Sequence, residues 1–164
     1  MSSPMRRKLS HLDPSGRVRM VDVSGKPATR REAVARGRVF MHRETLALLR
    51  SGRTPKGDVL AAAHLAGVMA AKRTSELIPL AHGIPIEAVD LAFTYDEGSA
   101  SVGIEARVRT RARTGVEMEA LTAAMVAALT LYDMLKSADR GMVMGEFALW
   151  EKRGGRTGVY RRRS

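Results

Sequence analysis

Asp133 and Lys136 stand three positions apart near the end of a segment, GVEMEALTAAMVAALTLYDMLKSA, whose middle is almost wholly apolar. On a helix such a pair shares one face. A solvated ion pair near a helix end would account for them. On so apolar a helix, an Asp beside a Lys in a partly buried pocket would equally serve as an acid/base or phosphate-neutralising pair. Glu117 and Glu119 stand at the other end of the segment. Thr114 and Glu117 match the capping-box pattern, which competes with a substrate-facing role for Glu117. In a helix from Gly115 onward the two acids point nearly opposite ways, and Glu119 falls on the side of Asp133. Glu119 and Asp133 are nevertheless about 21 Å apart along the axis, at roughly 1.5 Å rise per residue. A small substrate cannot touch both in one chain. Either one cluster is structural, or a site is shared between chains.

Three further places carry chemistry. Lys56 precedes Gly57 and Asp58 at a helix start, where free backbone N–H groups and the helix dipole favour anions. The surrounding residues do not form a P-loop. Lys72-Arg73, at the far end of that helix, complement its C-terminal dipole when taken in isolation. His82 sits on a loop between Pro79 and Pro85, a better place for function than a helix face. His11 and His42 read as surface positions and His64 as core. No HxxxH or HExxH spacing exists, so no metal site is indicated.

The elements that position these residues follow from periodicity. Met20–Ser24 reads as a short strand before a Gly25-Lys26-Pro27 turn. Arg30 to Met41 is basic and irregular, with a strand at Arg38–Met41. Glu44–Leu49 reads as a short helix closed by Gly52. A second helix, with Asp58 as N-cap, runs to near Pro79. Val89, Leu91, Phe93 and Tyr95 alternate with polar or small residues, as do Val102, Ile104, Ala106 and Val108, giving a hairpin about the turn Asp96–Ser99. The long helix follows, then a strand between Val143 and Trp150, and a frayed tail after Gly154-Gly155. This order predicts an α+β fold, an antiparallel sheet covered on one face by helices, as in ferredoxin-like proteins.

With 164 residues and 45% hydrophobic content, the chain is a single globular domain. It has no cysteine, which excludes disulfides, thiolate nucleophiles, iron–sulfur clusters and Cys-based zinc sites. No apolar run reaches the roughly 20 residues of a membrane span, and the basic N-terminus lacks an apolar signal core. The expectation is a soluble intracellular protein. The net charge of +11 points to polyanionic partners. Of the 28 basic residues only six are lysine, so lysine is kept for positions needing a compact or tunable charge. A nucleic-acid-binding protein is the alternative, but 4% aromatics and no binding motif weigh against it. A purely structural oligomerisation module would leave Asp133 and Lys136 unexplained.

Taken together, the segments MVDVSGKPATRREA, KGDVLAAAHLAGVMAAKRTSELIPLAH, TGVEMEALTAAMVAALTLYDMLK and GGRTG resemble the MoaC family over roughly residues 9 to 160. These are the cyclic pyranopterin monophosphate synthases of molybdenum cofactor biosynthesis. Residues 1–18, polar and containing Pro4, Pro14 and Gly16, read as a mobile segment; the resemblance implies one catalytic domain over 19–160, followed by a basic tail over 161–164. It puts the catalytic aspartate on Asp133 with Lys136 as companion, and adds Lys56 and His82. Substrate-binding positions fall on Leu80, Ala81 and His82, and on Glu117, Met118 and Glu119, with Lys72 and Arg73 available to the phosphates. The family usually has Cys-His-Pro where this chain has Ala81-His82-Gly83. The implied substrate is a cyclised dihydro-GTP, (8S)-3',8-cyclo-7,8-dihydroguanosine 5'-triphosphate. The implied product is a pyranopterin with a cyclic phosphate, released with pyrophosphate by a lyase that needs no redox cofactor. The resemblance also implies a cytoplasmic homohexamer, a trimer of dimers, with sites at the dimer interface.

Overall fold

The computed structural model describes residues 13–163. Nine elements follow one another: β1 (Thr29–Phe40), α1 (Arg43–Arg50), α2 (Val59–Lys72), α3 (Thr74–Leu77), β2 (Ala88–Asp96), β3 (Ser101–Ala112), α4 (Glu117–Leu135), β4 (Val143–Arg153) and β5 (Tyr160–Arg161). All strands pair antiparallel in one sheet of order β2-β3-β1-β4-β5. Without the two-residue β5 this is the βαββαβ path of a ferredoxin-like fold, as expected.

The sheet has two chemically different faces because side chains alternate along each strand. Ala33, Ala35 and Val39 of β1 lie opposite Val108, Ala106 and Val102 of β3, all buried under the helices. Their neighbours Glu32, Arg36, Arg107 and Glu105 face away and pair with one another: Arg36–Glu105 at 2.7 Å and Arg107–Glu32 at 2.8 Å. Arg109–Asp90 and Arg38–Asp96 extend the network. Much of the arginine is therefore neutralised within the chain.

On the other face α4 lies across β1, β3 and β4, and α2 packs on α4 and β2. The buried side of α4 is a row of small residues, Ala120, Ala123, Ala124, Ala127 and Ala128, which lets the helix settle close to the sheet before Leu131 and Leu135 fill the end. Gly67 makes the crossing of α2 possible. A Cβ there would stand 2.6 Å from Leu91 Cδ2 and 3.1 Å from the Ala123 carbonyl. Leu65, Met69, Met125 and Leu129 remain exposed on the outer side of this helix pair. α4 has the length and mean hydropathy of a membrane span, but half of that window is buried inside the fold.

Several expectations are corrected. β1 spans twelve residues, not only Arg38–Met41, and is the central strand. Its inward positions are small (Ala33, Ala35, Gly37), so the alternation was masked by Val34 and by the charges around it. Met20–Ser24 is not a strand: the Asp22 carboxylate accepts from the Ser24 N–H at 2.9 Å and Lys26 N–H donates to the Val23 carbonyl, making turns instead. α2 stops at Lys72 rather than near Pro79. The Thr74 hydroxyl donates to the Ala70 and Ala71 carbonyls, and α3 begins there. His64 is exposed, not core. The tail after Gly155 returns as β5, with Arg162 N–H donating to the Trp150 carbonyl. His11 and most of the segment expected to be mobile over 1–18 fall outside the described residues. Asp13 to Arg17 form a turn held by the Asp13 carboxylate.

Candidate active site

The loop between α1 and α2 brings Lys56 to the far end of α4. Gly57 takes φ +85, a left-handed turn that a Cβ would strain, and the Thr54 hydroxyl donates to its carbonyl. Asp58 then caps α2, accepting from Ala61 N–H at 2.9 Å. Held this way, Lys56 Nζ donates to the Asp133 carbonyl at 2.9 Å and stands 3.5 Å from Asp133 Oδ2. Lys136 Nζ donates to Oδ1 of the same carboxylate at 2.7 Å. The hydrogen bond and charge of Lys136, with the charge of Lys56 behind them, hold the Asp133 carboxyl below its ordinary value. The structure thus joins Lys56, Asp133 and Lys136 into one cluster. The cluster is not partly buried as expected: Asp133 is 58% exposed and both lysines about as open.

Glu117, Met118 and Glu119 form the first turn of α4 at the opposite end. The capping box is absent. Val116 occupies the N-cap with no side-chain bond, and Glu117 instead faces Lys152, with Nζ 3.7 Å from Oε1. Glu119 is only 4% exposed. Burial pushes its carboxyl up to about 6, against the pull of its own N–H and with the Glu117 charge adding to the rise. Among the described residues no cation lies within ion-pair distance of it. Because α2 and α4 run antiparallel, Lys72 and Arg73 stand toward this same end, exposed and without an acidic partner among the described residues. They are the length of α2, about 21 Å, from the Lys56 end. Leu80, Ala81 and His82 lie on the loop after α3, each partly buried, with a turn closed by Ala81 N–H to the Ile78 carbonyl. The predicted residues therefore fall into two groups separated along the helix pair.

A cleft of about 470 Å³ opens at the sheet end, lined by Arg30, Arg31, Glu32, Glu87, Arg109 and Arg153. The guanidinium of Arg31 packs on Gly155, and the Arg30 carbonyl and Arg31 Cδ pack on Gly154, both glycines at positive φ, so the GGRTG segment needs its glycines for room as well as for turning. Arg31 Nε is buried with no hydrogen-bond partner. Sequence reasoning missed Arg31 and Lys152 because both lie on strands, among many other basic residues. The signal was there for Lys152, one of only six lysines. No group of three or more metal-ligating side chains occurs among the described residues.

The MoaC family model matches residues 20–155. The chain belongs to the MoaC family. The cyclic pyranopterin monophosphate synthase of Heliobacterium modesticaldum is 60% identical to it, over 93% of this chain and 96% of that protein. The proteins of the same name from Thermomicrobium roseum and Chloroflexus aurantiacus are 59% and 55% identical, the alignments spanning 94% and 98% of this chain and 93% and 98% of theirs. At such identity, MoaC membership covers the segments that build both groups of residues.

Proposed function

We propose that this chain is a cyclic pyranopterin monophosphate synthase, a lyase that rearranges a cyclised dihydro-GTP and expels pyrophosphate in molybdenum cofactor biosynthesis. The observation that carries this reading is the convergence of Lys56, Lys136 and the Asp133 carboxylate on one point, in a chain belonging to this family. Opening the five-membered ring of the purine needs proton transfers. Asp133, kept anionic by two ammonium groups, accepts a proton, and Lys136 or Lys56 at hydrogen-bond reach returns one. Glu119, whose carboxyl burial pushes up to about 6, and His82 serve the same chemistry from the other group. Closing the cyclic phosphate forms one P–O bond at the α-phosphorus and breaks another, with pyrophosphate as leaving group. Lys72, Arg73 and the Arg31 cleft neutralise the charge that develops there.

The two groups act together if a second copy completes each site. α2 and α4 carry one group at each end, and the exposed Leu65, Met69, Met125 and Leu129 lie between them. A two-fold axis through that apolar patch sets the Asp133 end of one chain beside the Glu119 end of the other. It makes two equal sites per dimer. Three such dimers form the hexamer of our reading, which works in the cytoplasm without resident metal or redox cofactor. Incubation of the purified protein with the cyclised GTP tests the function. Pyrophosphate and the pyranopterin are expected in equal amounts, and a folded, assembled protein that yields neither overturns it.

A further inference from the structure

His82 makes one polar side-chain contact among the described residues. Its Nε2 lies 2.7 Å from the carbonyl oxygen of Val21, in a partly buried setting. Val21 belongs to the MVDVSGKP stretch, whose role the candidate site does not explain. That carbonyl is held in place by its own segment. The Asp22 carboxylate accepts from Ser24 N–H at 2.9 Å, and Lys26 N–H donates to the Val23 carbonyl at 3.0 Å. Val21, Val23 and Lys26 are half-buried while their neighbours are exposed, so the stretch rests on the domain as a strap. Gly83 follows His82 directly on its loop, which leaves the ring's orientation more dependent on what the ring itself touches.

A carbonyl oxygen can only accept, so the nitrogen facing it must carry the hydrogen. In a neutral imidazole the other nitrogen then holds the lone pair. We infer that the Val21 carbonyl is a positioning group that fixes His82 in the Nε2–H tautomer, leaving Nδ1 as the nitrogen that exchanges a proton with substrate. This rests on the proton-transfer role given to His82 above. Nδ1 has no hydrogen-bond partner among the described residues, as a nitrogen reserved for a ligand requires. A proton taken from substrate at Nδ1 makes an imidazolium whose Nε2–H stays on the Val21 carbonyl. The same proton leaves from Nδ1, so the strap bond persists through the cycle and the ring never has to turn.

Nitrogen NMR of full-length protein carrying ring-labelled histidine, in mildly alkaline buffer, reads the tautomer directly. The signals of His82 are assigned by their loss in His82→Gln. Nε2 is expected protonated and Nδ1 unprotonated; the reverse overturns the proposal whatever the activity. The two amide variants separate the nitrogens. His82→Gln sets an N–H near the Nε2 position and keeps the strap bond, whereas His82→Asn reaches only the Nδ1 position. Hydrogen exchange across residues 20–26 should therefore stay near the wild-type rate in the Gln variant and rise several-fold in the Asn variant, with turnover lost in both. Equal exchange in the two variants would sink the positioning role. Turnover retained in His82→Gln would remove His82 from the chemistry, and with it the assignment of Nδ1, while leaving the tautomer result standing.

Discussion

A carboxylate between two ammonium groups stays anionic and readily gives up any proton it takes, and that is the condition of Asp133. Changing it to Asn removes the charge while keeping volume and most hydrogen bonding. Asp133→Asn is expected to abolish pyrophosphate release with melting temperature near wild type, since the side chain is exposed and contributes little to the core. Near-normal turnover would make the cluster a surface ion pair and nothing more. Lys56→Ala is expected to raise KM more than Lys56→Arg does, and added salt should mimic part of the loss in wild type. A loss confined to kcat and insensitive to salt would make Lys56 a proton donor instead. Asp139 shows the opposite use of an aspartate. It is 4% exposed, and it accepts from the N–H groups of His42 and Gly141 at 2.9 Å, from the Thr45 hydroxyl and from the His42 ring. Burial pushes its carboxyl up, but those donors and the His42 charge outweigh it, and the net shift is downward. A group with a lowered folded value stabilises the fold above its unfolded value, about 3.9, and loses that contribution as pH falls through the folded one. Asp139→Ala, which takes the acceptor from the buried Thr45 hydroxyl and from the His42 and Gly141 N–H groups, should cost about 1–3 kcal/mol at neutral pH. The deficit relative to wild type should shrink in acid, as urea titrations at several pH values would record.

At the level of elements, the decisive contact is where α2 crosses α4 at Gly67. Gly67→Ala is expected to destabilise by about 1–3 kcal/mol, because the new methyl meets both a side chain and the fixed Ala123 carbonyl. An unchanged denaturation midpoint would mean that the helices part without cost. This crossing was not legible in the sequence, where Gly67 is one more small residue in an Ala-rich run. The hairpin and α4 were legible, since their periods of two and of 3.6 are carried by large side chains. β1 was not, because alanine and glycine carry its inward face and a period written in small residues is faint. In the site, Asp133 and Lys136 were readable from charge on an apolar helix. Their meeting with Lys56 was not, as it depends on a loop that returns from α1 across the end of α4. The capping box was misread at Thr114 because an electrostatic partner for Glu117 waited on β4, far away in sequence.

Over the whole molecule, the continuous α4 keeps Glu119 and Asp133 about 21 Å apart. If each site takes one from either chain, two damaged proteins can repair each other. Glu119→Ala and Asp133→Ala proteins, each inactive alone, are expected to recover part of the activity when unfolded, mixed in equal amounts and refolded together. A mixed dimer collects both defects in one site and neither in the other, so roughly a quarter of all sites should work under random pairing. Mixed oligomers without recovery would mean that each chain builds its own site.

The exposed patch of Leu65, Met69, Met125 and Leu129 has a consequence for how such a catalyst behaves when scarce. If, as proposed, a second copy must cover that patch before the chemistry is complete, catalytic power becomes a collective property, subject to mass action. Specific activity then falls on dilution instead of staying constant. A ligand that touches both chains acts as an adhesive, drawing lone subunits back into working pairs. Expression level and substrate supply would set the working fraction jointly, each able to stand in for a shortage of the other.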